Sequence, residues 1–497
     1  MNTYLDVMKR LRDDFMRADY RTDAVLNAIG PHGQMALARN HTMAATRALA
    51  GRDDGLATLI RLFVLQQWQP AGPVGRAVGA ASLTELGLLT AEGSGFRAAV
   101  DVRPFADDTD GTSGWVVSDH TATLDTRDIP PAPDLVLGIS PASISLAQIT
   151  PRRSVGRALD LGTGSGVQSL HVARRARQVV ATDVNPRALS LANLTFALNG
   201  ITVETRLGSL YDPVQSETFD LITSNPPFVI SPGTGPRLVY REAGRSSDDL
   251  MKDVITLAGP HLTDGGSLHI VGNWAHLRGS SWSERVAAWI PAGCDAFFVE
   301  REILDPYEYI EIWLADAGLA GKPDYVARYT EWLDYFDRLG IEGVGMGWIT
   351  MVKSGSASPR VLCESWPHPV RQPVAQDLVA HLRAVDVQSW SDAQIMDLPW
   401  VLAPGTMQET ASVPGHENPS HVVLRRADGL MRAVEVDSGL GGVLGACDGE
   451  LTLARIIAAV AQLMQADPQA LTNDLMPHIR QLISQTWLTP SGGTGVS

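Results

Sequence analysis

Residues 157–166, RALDLGTGSG, join a short apolar run to a glycine string. A buried strand that stops at glycines and is followed by a helical pattern, here through HVARRA (171–176), makes the unit strand, turn, helix. The unit then repeats. RQVVATDV (177–184) reads as a strand, RALSLANLTFALNG (187–200) as a helix, and VETRLGS (203–209) and FDLITSNPPF (219–228) as strands. MKDVITLAGPHLTDGG (251–266) adds a helix and turn, SLHIVGNW (267–274) a strand, SERVAAWI (283–290) a helix and AFFVEREIL (296–304) a strand. A helical insertion over 306–338 precedes the last strand, GVGMGWITMVK (343–353). Such alternation predicts an α/β fold with right-handed crossovers, a doubly wound sheet of seven strands.

In such sheets ligands bind at the carboxyl ends of the strands, where glycines let the backbone approach them. The string Asp160-Leu161-Gly162-Thr163-Gly164-Ser165-Gly166 stands at such an end. A dinucleotide fingerprint requires glycine at 167, which is Val167, and a phosphate-binding loop requires a lysine that the string lacks, so NAD, FAD and ATP are disfavoured. Asp183 ends the next strand, where a carboxylate accepts the two hydroxyls of a ribose. Ser209, after the third strand, is placed to meet an adenine edge. The fourth strand delivers Ser224-Asn225-Pro226-Pro227-Phe228. Two prolines remove two backbone donors and stiffen the loop, leaving the Asn225 amide oxygen and the Pro226 carbonyl as acceptors for a planar NH2 group. Phe228 offers a face on which a flat base or amide stacks.

With those residues in that order, 135–353 resembles the class I S-adenosylmethionine-dependent methyltransferases that carry an Asn-Pro-Pro-aromatic motif. The resemblance implies a Rossmann-like methyltransferase sheet with S-adenosyl-L-methionine as cofactor. Asp160, Gly162, Thr163, Gly164 and Gly166 would then line its methionine part, Asp183 its ribose and Ser209 its adenine. Asn225, also beside the cofactor, would orient the accepting nitrogen together with Pro226 and Phe228. Members with this motif methylate the exocyclic amine of adenine or guanine, or a glutamine amide in release factors and a ribosomal protein. Release-factor enzymes usually have Tyr where this chain has Phe228, and the family's frequent Asp or Asn near 209 is Ser here.

Around this domain the grammar differs. Residues 1 to about 70 read as helical, and AASLTELGLLTAEGSGFRAAVDVRPF (80–105) runs from a helix through a glycine turn into a strand, so 1–134 is expected to be a helical, winged-helix-like domain. RDIPPAPDLVLGISPAS (127–143) marks the boundary to the catalytic domain, 135–354. Residues 355–497 are expected to form a small α+β domain: strand, turn, strand in HVVLRRADGLMRAVEVD (421–437), then helices in 451–465 and 470–488. Its pattern over 434–461 resembles the peptide-binding PqqD-like winged helices, which implies a peptide or protein partner.

Charge narrows the partners. The net charge is −15, divided as −4 over 1–149, +2 over 150–280 and −13 over 281–497. Such acidity argues against broad nonspecific nucleic-acid binding while leaving room for a local basic groove in the middle third. Arg237, Tyr240, Arg241 and Arg245 in the loop after the NPPF motif are placed to contact a phosphate backbone or an acidic protein face. Cys294, Cys363 and Cys447 stand far apart and suit reduced thiols. The N-terminus is charged where a signal peptide is apolar, and no apolar run is long enough for a membrane, so a cytoplasmic protein is expected. Methyl transfer from a sulfonium needs positioning more than acid-base help, so no metal is expected and the histidines, His171 included, read as structural. Two acceptors stay open: a release-factor-type protein glutamine, the main expectation, and a base of rRNA or tRNA.

Overall fold

The computed structural model describes residues 2–120, 124–125, 132–233, 246–384, 389–414 and 419–491. They form two compact units, Met1–Trp366 and Pro367–Ser497. In the first, the strands of the repeating pattern form one sheet: β1 (Val155–Leu161), β2 (Ala176–Asp183), β3 (Glu204–Leu207), β4 (Phe219–Ser224), β5 (Leu262–Leu277), β6 (Cys294–Leu304), β7 (Ile341–Lys353) and β8 (Val361–Ser365). The order across the sheet is β3-β2-β1-β4-β5-β7-β6-β8. Neighbours from β3 to β5 run parallel, β7 is antiparallel to both β5 and β6, and β8 is parallel to β6. The order reverses between β1 and β4, which opens a crevice at their carboxyl ends.

The expectation of seven strands is corrected to eight. Val361–Ser365 follows a Gly- and Ser-containing stretch that reads as a connector, and its first four residues are half-buried, so it lacks the alternation of a one-sided strand. Pairing of Phe298 with Cys363 nevertheless sets it in the sheet, and the division between units falls after Trp366 where the sequence reading places it at 354.

Local sequence fixes the helices that meet the crevice. Helix α1 (Pro141–Ile149) starts at a capping box, with Ser140 Oγ accepting from the Ser143 amide at 3.1 Å. Helix α2 (Val167–Val172) follows the glycine string. Helix α3 (Pro186–Asn199) is capped by Asn185, begins with proline and ends at Gly200 in the left-handed region. Helices α4 (Asp249–Thr256) and α5 (Trp282–Ala287) complete the crossovers. The helical insertion becomes α6 (Pro306–Asp316) and α7 (Tyr325–Leu339).

The N-terminal residues belong to the same compact unit. Helices Asn2–Arg17, Thr22–Leu37, Met43–Ala48 and Gly55–Leu59 precede a three-stranded sheet of Gln69–Pro70, Gly95–Ala98 and Leu89–Glu92. Phe15, Phe63 and Trp115 share one buried core with Ala188, Leu191 and Leu198 of α3. The hairpin Asp101–Asp107/Thr112–Ser118 is tied to α3, the Trp115 amide donating to Asn199 Oδ1 and the Val117 amide to Thr195 Oγ1, both at 2.9 Å.

The second unit is α+β. One three-stranded sheet centres on Pro399–Leu402 and another on His421–Arg426. Helices Leu453–Met464 and Pro468–Ser484 pack on a core that contains Trp400 and Trp487. Among the described residues no helix is long and apolar enough to cross a membrane, and the three cysteines are free.

Candidate functional site

Asp160, next to last in β1, is 1% exposed. Its Oδ2 accepts from Thr163 Oγ1 and Ser169 Oγ, each at 2.7 Å, which binds the glycine loop to the first turn of α2. Burial pushes the Asp160 carboxyl up to about 6; the two hydroxyls oppose the shift and the charge of Asp183 adds to it. Gly162, Gly164 and Gly166 have φ of 74°, 56° and 87°, a region that suits glycine. A Cβ on Gly166 would lie 2.5 Å from the Phe196 ring, whereas one on Gly162 or Gly164 would meet nothing within 4 Å. The third glycine therefore serves packing, and the first two face open space.

That space is a cleft open to solvent. Its walls are the glycine loop from Gly162 to Ser165, Gln168 on α2, Asn185 and Ala188 at the start of α3, Asn225 and Pro227 after β4, and the segment from Leu135 to Ser143. Behind the loop, the Gly164 amide donates to Asp183 Oδ2 at 2.9 Å and the Asn185 amide to Asp183 Oδ1 at 2.8 Å. Burial raises the Asp183 carboxyl, opposed by these amides.

At the end of β4, Ser224 Oγ donates to the Leu161 carbonyl at 2.8 Å, so the acceptor loop starts at a fixed distance from the glycine loop. Asn225 Oδ1 is buried with no hydrogen-bond partner among the described residues. Buried polar atoms are nearly always paired, so an unpaired acceptor at a cleft wall marks a place where a donor belongs. Gln168 Oε1, on another lining residue, likewise has no partner among the described residues, while its Nε2 donates to the Ser143 carbonyl at 2.6 Å. Phe228 meets the Trp313 ring edge-on at 6.1 Å.

Of the residues expected from sequence, Gly162, Thr163, Gly164 and Asn225 line the cleft. Asp160, Gly166 and Asp183 hold its wall from behind, and Pro226 and Phe228 flank the lining residue Pro227. Ser209 is exposed on the loop after β3 and outside the lining. Arg237, Tyr240, Arg241 and Arg245 lie outside the described residues. Sequence reasoning named no site residue in the wall from Leu135 to Ser143, which it read only as the start of the catalytic domain; the helix start Ser140-Pro141 was its available signal. Asp107, Asp110 and His171 come within 4.8 Å of one another at their ligand atoms, and Arg175 pairs with Asp110, so that carboxylate's charge is met within the chain.

The glycine loop, the carboxylate at the end of β2 and an Asn amide oxygen without a described partner thus stand together at the crevice. Residues 138–282 match the family model described as methyltransferase small domain, and 17–99 and 377–490 each match a domain of unknown function. Ribosomal RNA small subunit methyltransferase C of Haemophilus influenzae is 36% identical over 120 residues, 24% of this chain and 32% of that protein. Its counterpart from Escherichia coli is 33% identical over 134 residues, 27% of this chain and 35% of that protein. The matched part thus spans about a third of these relatives' length. A solved structure, the YcgJ protein of Bacillus subtilis, overlaps 43% of this chain and 99% of its own at 16% identity, with a TM-score of 0.29.

Proposed function

We propose that this chain is a cytoplasmic S-adenosyl-L-methionine-dependent N-methyltransferase whose acceptor is the exocyclic amine of an adenine or guanine in small-subunit ribosomal RNA. The observation that carries the N-methyl reading is the buried, unpaired Asn225 Oδ1 at the cleft wall. The preference for RNA over a protein glutamine rests on the two relatives, both named as small-subunit ribosomal RNA methyltransferases.

When bound, the cofactor supplies an electrophilic methyl carbon. The glycine loop from Gly162 to Gly164 gives it room, and the Asp183 carboxylate, held by two backbone amides, keeps lone pairs for ribose hydroxyls. Asn225 Oδ1 and the Pro226 carbonyl accept the two N–H groups of the amine and direct its lone pair at the methyl carbon, with Phe228 stacked on the base. Rate then comes from holding nucleophile and carbon about 3 Å apart, and from two acceptors that stabilise the nitrogen as it becomes cationic. Residues 55–98 run helix, strand, two helices, strand, strand, the first strand pairing with the last; this connectivity supports a winged-helix-like module beside the catalytic domain.

The test is transfer of labelled methyl from S-adenosyl-L-methionine into an extract of cells lacking the gene, where targets are unmethylated, followed by RNase or protease digestion. RNase should release the label from small-subunit RNA. Release by protease alone overturns the RNA assignment and restores the glutamine one.

A further inference from the structure

The helical insertion lies outside the segment matched by the methyltransferase model, yet it reaches the acceptor loop by two routes. Val229 and Ile230, directly after the NPPF motif, are buried in one core with Tyr309 and Ile310 of α6, Trp332 and Phe336 of α7, and Val344 of β7. Within that core Tyr309 is fully buried, and its hydroxyl accepts from the Ile230 amide at 2.9 Å and from Asn273 Nδ2 at 3.0 Å. Asn273 lies on β5 three positions past Ile270, which pairs with Ser224 at the end of β4. The second route is aromatic: Phe228 meets Trp313 edge-on, and Trp313 meets Tyr309 edge-on, each at 6.1 Å. Pro226 and Pro227 have no N–H, so the motif has no backbone donor at those two positions with which to fix itself. Ile230 supplies an anchored donor just after it.

We infer that α6 and α7 form the brace that sets the acceptor loop, with Tyr309 as its positioning residue. This rests on the reading of Asn225–Phe228 as the acceptor loop. The hydroxyl of Tyr309 fixes the backbone at Ile230, and Trp313 fixes the ring of Phe228, so the acceptors of Asn225 and Pro226 take their direction from a helix some eighty residues away. The same hairpin holds the chain where it returns: Tyr335 Oη on α7 accepts from the Ser247 amide at 2.9 Å. Asp248, next in sequence, accepts from the Ala275 amide and pairs with Arg285.

The experiment uses the full chain with Tyr309→Phe, which keeps the ring and removes the hydroxyl. Three quantities are read: calorimetric affinity for S-adenosyl-L-methionine, amide hydrogen exchange over 225–233 and 157–170, and steady-state methyl transfer to deproteinised small-subunit RNA from cells lacking the gene. A brace predicts unchanged cofactor affinity and RNA KM, kcat lower by on the order of tenfold, and faster exchange over 225–233 with 157–170 unaffected. Unchanged exchange over 225–233, or a loss confined to melting temperature with kcat per folded molecule intact, overturns the inference. If wild type transfers no methyl to RNA, the substrate assignment fails and the exchange result alone decides the brace. Trp313→Leu, which cuts the aromatic route, carries the same readouts should Tyr309→Phe not fold.

Discussion

The Gly164 amide donates to Asp183 Oδ2 at 2.9 Å, so the carboxylate at the end of β2 holds the loop after β1 while keeping lone pairs for a ligand. Under the proposed function, one side chain serves both the shape of the cleft and its chemistry. Asp183→Ala should weaken S-adenosyl-L-methionine binding by roughly 1.5 to 3 kcal/mol, about 10- to 100-fold in Kd, the loss expected for hydrogen bonds to a charged group. Isothermal calorimetry reads this directly, and an unchanged Kd would remove Asp183 from the ribose site.

Asn225→Ala separates binding from chemistry. The side chain lines the cleft, and its Oδ1 has no hydrogen-bond partner among the described residues, so little native structure depends on it. Cofactor affinity should stay within about twofold while methyl transfer falls by at least about tenfold, since only the developing charge on the accepting nitrogen loses its partner. Equal losses in both quantities would show that Asn225 holds the cofactor and leaves the amine to other groups.

The glycine string, Asp183 and the NPPF motif were legible because each encodes its own local geometry: left-handed φ at three glycines, a carboxylate at a strand tip, two missing N–H groups. Long-range contacts left no such trace. Tyr309 reads as one apolar position in a helix, and only the fold places its hydroxyl on Ile230. Val361–Ser365 hid because a half-buried edge strand gives no alternation, and the wall from Leu135 to Ser143 because it carries no motif residues and reads only as the start of the domain. Ser209 was placed by its position after the third strand; the structure leaves it exposed.

Gly164 and Gly166 should respond differently to alanine although both have positive φ. A methyl on Gly166 meets the Phe196 ring at 2.5 Å, so overpacking adds to backbone strain, and Gly166→Ala should lose about 2 to 4 kcal/mol of stability. Gly164→Ala meets nothing within 4 Å and should lose only the backbone part, about 1 to 2 kcal/mol, while its methyl projects into the cleft and lowers cofactor affinity. Urea unfolding and calorimetry on both variants check the pair. Equal destabilisation with cofactor affinity intact would mean that Gly164 does not face the ligand.

Asp160 gives the pH dependence its sign. Burial holds its carboxyl at about 6 in the folded chain against an ordinary value of 3.8. The folded state therefore binds this proton more tightly than the unfolded chain. Its stabilising contribution is fully present below about pH 4 and is lost as pH rises through about 6, a change of roughly 3 kcal/mol. Asp160→Asn removes the titration and keeps an oxygen to accept from Thr163 and Ser169. The unfolding free energy of wild type minus that of the variant should fall by on the order of 3 kcal/mol between about pH 4 and pH 7 and level off above. Urea unfolding of both proteins across that range measures it; a difference that stays flat, or rises with pH, would mean that hydrogen bonds from Thr163 and Ser169 outweigh burial at Asp160.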